Sequence, residues 1–317
     1  MTTSTTVLPA STARPAAAPR PLQPLRGVRV LSLALNLPGP AALMRLRAMG
    51  ASCTKAEPPA PSGLPAGTSG DPMGQYNRKA YAQLHEGVRL LQLDLKSEKG
   101  QAALHRELAR TDVLLTSFRP SALTKLGLGW RALHKRYPSL NQVAIVGAPG
   151  DRAEEPGHDL TYLAEHDLVT GLDLPPTLYA DMGGALLASE AVLRAVLAQR
   201  MGKSGRGSFQ EVVLSGAAAW LALPRHWGLT GSTGAVGGAH AGYRVYPCKD
   251  GRVAVAALEP HFAKALCAAA GVEVTCLLTL FDPATHVAIA TFLASRSRRQ
   301  LEALATEKDI PLHTLAA

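Results

Sequence analysis

Three observations predict a doubly wound, mostly parallel Rossmann-like α/β domain followed by a smaller α+β domain. Short apolar runs alternate with amphipathic helical patterns from residue 28 to residue 146, with glycine or proline at the turns, which is the rhythm of repeated βαβ units. A stretch rich in Gly and Ala at 230–242 interrupts that pattern, and a hairpin signal and two helical segments follow it. The 317 residues suffice for two domains. The chain therefore divides into a disordered extension at 1–24, a large domain at 25–228 and a small domain at 229–317.

The extension is rich in Ala, Pro, Thr and Ser and lacks the apolar centre of a secretory signal. Order begins at Leu25-Arg26-Gly27-Val28-Arg29-Val30-Leu31-Ser32-Leu33, whose apolar run after a glycine reads as a buried strand. Asn36-Leu37-Pro38-Gly39-Pro40 is a turn, 41–49 is a helix stopped by Gly50, and 53–56 is the next strand. Pro, Gly and Ser mark 60–74 as a surface loop. A strand at 88–95 precedes a helix at 97–110 with Ser97 as N-cap and Gly100 as an awkward early residue. Asp112-Val113-Leu114-Leu115 returns to the sheet, a helix opens at Leu126-Gly127-Leu128-Gly129-Trp130 and ends before Pro138, and 141–146 is a further strand. Leu186, Leu187, Val192, Leu193, Val196 and Leu197 give the helix after Gly184 its apolar face, and 209–214 alternates like a strand. In the small domain Lys249-Asp250-Gly251 joins two strands as a hairpin, and helices follow around 262–270 and 286–293.

A formal net charge of +9 favours an anionic partner. With aromatics at 5% there is little surface for stacking on bases, which counts against nucleic acid. The four cysteines show no Cys-x-x-Cys pair and no His partner at metal-site spacing, so reduced thiols in a cytoplasmic protein and no metal are expected. No apolar run is long enough for a membrane span, because Glu190 and Arg194 interrupt the longest helix. Gly202-Lys203-Ser204 matches the end of a phosphate-binding loop, yet the first glycine of that motif falls on Leu197, which excludes a nucleotide triphosphatase.

Two potential proton-transfer groups stand at turns that feed helical patterns: His158 in Pro156-Gly157-His158-Asp159-Leu160-Thr161-Tyr162-Leu163, and Asp181 in Leu178-Tyr179-Ala180-Asp181-Met182-Gly183-Gly184. By position alone Asp181 reads first as a helix N-cap and His158 as a turn or helix-start histidine.

In sequence order, Leu25-Arg26-Gly27-Val28-Arg29-Val30-Leu31, Pro38-Gly39-Pro40, Lys55-Ala56-Glu57-Pro58-Pro59, Leu93-Asp94-Leu95-Lys96, Phe118-Arg119-Pro120, Lys125-Leu126-Gly127-Leu128-Gly129 and Tyr243-Arg244-Val245-Tyr246 with Asp250-Gly251 resemble the family III CoA-transferases. That family is named for carnitine dehydratase and the bile-acid-inducible protein, and it contains the α-methylacyl-CoA racemases. Gly157-His158-Asp159-Leu160-Thr161-Tyr162-Leu163-Ala164, Ala180-Asp181-Met182-Gly183-Gly184 and Leu258-Glu259-Pro260-His261-Phe262 look like the racemase branch. The resemblance implies His158 and Asp181 as opposed acid and base, Glu259 as support for the His, and Asp159 and Tyr162 along the CoA site. It also implies the family's two-domain fold and an interlocked homodimer, with no cofactor beyond the CoA of the substrate. The transferase branch uses the matching Asp as a nucleophile and lacks the His. Glu86 and Val88 stand where many relatives carry Arg and Lys, and the family's returning C-terminal segment reads as truncated at Ala317.

Racemisation beside a thioester needs a base, a stabiliser for the enolate and an acid on the other face. A His and a carboxylate supply the pair, and Gly183 leaves backbone open to the thioester. Lys55 and Arg119, both read as following strands, are the expected CoA anchors. The expected activity is an α-methylacyl-CoA racemase-like epimerisation of an acyl-CoA. The alternatives are a CoA-transferase working through an Asp181 acyl-enzyme and a degenerate, non-catalytic CoA-binding protein.

Overall fold

The structure, a computed structural model, describes residues 22–63, 68–202 and 204–317. The extension expected at 1–24 lies, apart from its last three residues, outside them, as do 64–67 of the expected surface loop. The chain divides into two compact units. The first runs to His158 and resumes over Asp181–Leu214, and the second comprises Asp159–Ala180 and Ser215–Ala317. The second unit thus begins ahead of the boundary expected at 229, and the Gly- and Ala-rich stretch taken for that boundary lies inside it.

In chain order the first unit contains β1 (Arg29–Ser32), α1 (Pro38–Ala48), β2 (Ser52–Glu57), α2 (Pro72–Tyr76), α3 (Arg78–Leu84), β3 (Arg89–Gln92), α4 (Glu98–Leu108) and β4 (Val113–Thr116). It continues with α5 (Pro120–Lys125), α6 (Trp130–Arg136), β5 (Asn141–Val146), most of α8 (Tyr179–Met201) and β6 (Phe209–Val213). The six strands form one sheet in the order β3-β2-β1-β4-β5-β6, and every pairing is parallel. Strand order reverses between β1 and β4, the switch point at which open α/β sheets bind ligands beyond the carboxyl ends of their strands.

Alternation along each strand sends side chains to two cores. Val30, Val113, Leu115, Val143 and Ile145 pack with Leu43 and Leu46 of α1 and with Ala185, Ala188, Val192 and Val196 of α8. Leu31, Leu33 and Leu114 pack on the other face with Leu104 and Leu108 of α4, Leu123 of α5 and Leu133 of α6. Helices on both faces bury the sheet, which is why its strands read as apolar runs. Gly100, awkward in the sequence, has a packing reason: a Cβ there would lie 1.9 Å from the Asp94 carbonyl oxygen, while the Ser97 hydroxyl caps α4 at the Gly100 N–H.

The second unit holds α7 (Asp159–Glu165), α9 (Leu214–Leu221, entered from the first unit), α10 (Leu223–His226), β7 (Tyr243–Cys248), β8 (Gly251–Ala256), α11 (Pro260–Ala269), α12 (Pro283–Ala294), α13 (Arg298–Lys308) and β9 (Leu312–Leu315). The expected hairpin forms with Cys248 opposite Gly251, and β9 adds a third antiparallel strand. Tyr246, Val253 and Val255 face Leu266, Ile289, Leu293 and Leu301 in a core of their own. Among the described residues no helix is long and apolar enough to cross a membrane.

Candidate active site

The crossover from β5 to β6 fixes where Asp181 stands. Near the end of α8 the Gln199 carboxamide donates to the Ser139 carbonyl (2.7 Å) and accepts from the Asn141 side chain (2.8 Å), which pins the end of the helix to the amino end of β5. Eighteen residues back along α8, about 27 Å by helical rise, is Asp181, whereas the six residues of β5 span only about 20 Å. Asp181 therefore lies beyond the carboxyl edge of the sheet. It is the third residue of the helix, in its first turn, rather than the N-cap residue that its position suggested. Carboxylates in a first turn are favoured by the unpaired N–H groups there. Gly183, two residues on, is half-buried, whereas Gly184 is buried for packing: a Cβ at Gly184 would meet Leu214 Cδ2 at 2.2 Å.

Lys55 differs from its expected role. It lies inside β2 with no solvent exposure, and its ammonium donates to Asp71, faces Glu57 at 3.4 Å and reaches His85 Nε2 at 3.0 Å. His85 Nδ1 lies 2.7 Å from the Tyr81 carbonyl, so Nδ1 carries the hydrogen and Nε2 accepts from Lys55. Burial first, and then the Lys55 charge, hold the His85 imidazole below its ordinary value. Ser69 and Tyr81 hydroxyls donate to Glu57 at 2.8 and 2.9 Å. A lysine whose donors all meet buried partners has none to offer a phosphate, so the anchor assignment is replaced by an interior one.

Asp71 carries this cluster outward to the edge of the sheet. Its Oδ1 accepts the Met73 N–H at 2.9 Å, capping α2, and the Asn36 N–H at 3.2 Å in the turn after β1. Ser117 Oγ, beyond β4, accepts the Leu35 N–H at 3.2 Å, tying the two turns at the switch point together. Arg119 follows as the exposed N-cap residue of α5, where an anion anchor was expected. Tyr76, the last residue of α2, is 69% exposed; partial burial and then the charges of Asp71 and Asp181 hold its phenol above its ordinary value. Tyr76 thus stands within the field of Asp181 and belongs to this edge, though no sequence motif marked it. Asp71-Pro72, an N-cap followed by proline, was the legible signal for α2 inside the expected loop.

His158 is exposed and ends the first segment of the first unit, the unit that also holds Asp181, Gly183, Lys55 and Arg119. Asp159, Tyr162 and Glu259 belong to the second unit. Asp159 opens α7 and shares a buried face with Tyr162, as their spacing required. Glu259 occupies the N-cap position of α11, but its exposed carboxylate makes no cap bond and so is not committed to the helix. A cavity of about 730 Å³ in the second unit, between Tyr243, Arg244, Ala254 and His313, contains none of these groups.

Residues 25–316 match the model of CoA-transferase family III. The chain belongs to that family. It is 32% identical over 253 residues to the succinyl-CoA–D-citramalate CoA-transferase of Chloroflexus aurantiacus, covering 73% of this chain and 61% of that family member. It is also 32% identical over 266 residues to the alpha-methylacyl-CoA racemase of Mus musculus, covering 78% and 65%. The chain thus spans less than two thirds of the length of either relative. Among solved structures of the family's fold, a hypothetical protein from Mycobacterium tuberculosis superposes with a TM-score of 0.76 at 22% identity, covering 94% of this chain and 86% of that one. A CAIB/BAIF family protein from Brucella suis gives 0.74 at 20% identity.

Proposed function

We propose that the chain is an α-methylacyl-CoA racemase-like enzyme that epimerises the α-carbon of an acyl-CoA thioester. The observation that carries this reading is Asp181 beyond the carboxyl edge of the parallel sheet, in the unit that also holds His158. One of the two removes the α-proton, the electron pair moves onto the thioester oxygen as an enolate, and the other returns a proton to the opposite face. N–H groups in the first turn of α8, beside the open backbone at Gly183, supply donors for the developing oxyanion. Arg119 is assigned as an anion anchor in the first unit, and the family's motifs support Glu259, Asp159 and Tyr162 of the second unit as the remaining candidate residues. The chemistry requires no group beyond the CoA of the substrate, and an interlocked homodimer is part of the proposal. A second reading, CoA transfer through an acyl anhydride on Asp181, is favoured by the similarity to a CoA-transferase.

The test is deuterium uptake at the α-carbon of a 2-methylacyl-CoA in heavy water, with hydroxylamine trapping run in parallel. Under the racemase reading the wild type exchanges, and His158→Ala and Asp181→Asn each reduce exchange by about a hundredfold or more. Trapping of an acyl group on Asp181, undiminished in His158→Ala and without α-exchange, would replace the racemase by the transferase.

A further inference from the structure

We infer that Asn36 contacts the pantetheine arm of the bound thioester and that the buried Lys55–Asp71 pair is the device that positions it. The inference rests on the proposed function for the class of ligand, and on the first unit alone for its geometry.

Asn36 lies four residues past β1, at the switch point of the sheet, where the crevice between the turns after β1 and β4 opens. Its φ is +60°, left-handed backbone that asparagine tolerates better than most residues but glycine adopts without cost. A turn needing only that conformation is served better by glycine. The Asn36 side chain is half-exposed, and its carboxamide makes no hydrogen bond with another described residue, so it is not spent on the turn it occupies. The helix that follows is poor in donors, because Pro38 and Pro40 lack N–H groups and Ala41 N–H is taken by the Leu37 carbonyl. Gly39 is buried, and a Cβ there would meet Ala34 Cβ at 2.2 Å, so the turn packs closely against the chain leaving β1. The crevice therefore has fewer backbone donors left at this turn than the phosphate cradle that other sheets of this strand order build there. What it offers is a neutral carboxamide, both donor and acceptor, which matches the secondary amides of a pantetheine arm.

The turn is held from below. Asp71 Oδ1 accepts the Asn36 N–H, and the same carboxylate is gripped by Lys55, whose own surroundings are saturated by Glu57 and His85. A buried ion pair whose charges are hydrogen-bonded on all sides is a rigid reference point and contributes little net stability. Lys55 therefore acts through Asp71 on Asn36, as a positioning residue.

The test is calorimetric binding of a 2-methylacyl-CoA and of the corresponding S-acyl-pantetheine to the full chain. Asn36→Gly, Asp71→Asn and the double variant are compared with the wild type, and a melting curve is recorded for each. Asn36→Gly is expected to melt at or above the wild-type temperature yet bind both ligands about tenfold more weakly. Asp71→Asn keeps the acceptor for the Asn36 N–H but loses its charge pairing with Lys55. It is expected to weaken binding several-fold in the wild-type background and to add nothing in the Asn36→Gly background. Unchanged affinity in Asn36→Gly overturns the contact. An Asp71→Asn effect that persists in the double variant overturns the positioning role. If the wild type binds both thioesters but exchanges no α-proton, the racemase reading fails while this inference stands. If it binds neither, both fail.

Discussion

Lys55 is the residue at which chemistry and position disagree most. Its strand and its neighbours Glu57 and Pro58 suggested a charge at a ligand edge, yet the ammonium is enclosed by Asp71, Glu57 and His85. Nothing in the local sequence announces this, because Asp71 and His85 arrive from sixteen and thirty residues away. The enclosure has a consequence at acid pH. His85 is held below its ordinary value of 6.5, so the unfolded chain takes up a proton that the folded chain refuses. The stability it contributes is full above 6.5 and is lost as pH falls toward the lower folded value. His105 and His240 are displaced in the same direction, each chiefly by burial, so the whole chain should melt at lower temperature as pH falls from about 7.5 to about 5.5. His85→Gln retains a donor for the Tyr81 carbonyl and an acceptor for Lys55 but does not titrate. It is expected to flatten the slope of melting temperature against pH, and a slope equal to the wild type's would show that the imidazole is not the titrating group.

Among the elements, the long helix α8 depends on one buried side chain to set its place. Asn141 donates to the Asp112 carbonyl at 3.2 Å and to Gln199 at 2.8 Å, and its oxygen accepts from the Ser208 N–H at 2.9 Å, which joins the amino ends of β5 and β6 to the end of α8. Asn141→Leu fills a similar volume but strands the Ser208 N–H and the Gln199 oxygen. The expected loss is about 3 kcal/mol in denaturant unfolding, since each buried unsatisfied group costs about 1–3 kcal/mol. A loss below about 1 kcal/mol would mean that core packing alone holds the helix. Elements whose order comes from their own apolar period were legible: β5 matches its sequence reading residue for residue, and β1, β2, β4, α1 and α4 fall within a few residues of theirs. The helix α13 has no place in the sequence reading, although Ser297 and Gln300 form a capping box there, and β9 is too short to show alternation until β8 pairs with it. Of the proposed site, His158 and Asp181 are legible as candidates through the family's motifs. Asn36 and Tyr76 were not, because their meaning depends on strand order and on Asp71, neither of which a local pattern carries.

For the molecule as a whole, the question is what its excess of positive charge does. The formal net charge is +9, but much of the guanidinium near the sheet is already paired: Arg29 with Asp112, and Arg89 and Arg110 with the single Glu107. Burial of Lys55 removes one more cation from the edge that faces Asp181. What is left is a diffuse field with Arg119 as an exposed cation after β4, beyond the carboxyl edge of the sheet, and this differs measurably from a dedicated phosphate clamp. A diffuse field steers an anionic ligand and is screened by salt, whereas contacts to the acyl and pantetheine portions are not. Raising ionic strength from about 0.01 M to about 0.1 M shortens the Debye length from about 30 Å to about 10 Å. Over that range the affinity for an acyl-CoA is expected to fall about threefold to tenfold, while that for the uncharged S-acyl-pantetheine stays within about twofold. Arg119→Gln should remove part of the salt dependence without altering S-acyl-pantetheine binding, because the anchoring role proposed for it acts on the nucleotide. Equal salt dependence for the two ligands, in wild type and variant alike, would mean that the field acts on the protein rather than on the CoA phosphates, and Arg119 would then lose its role as the anchor.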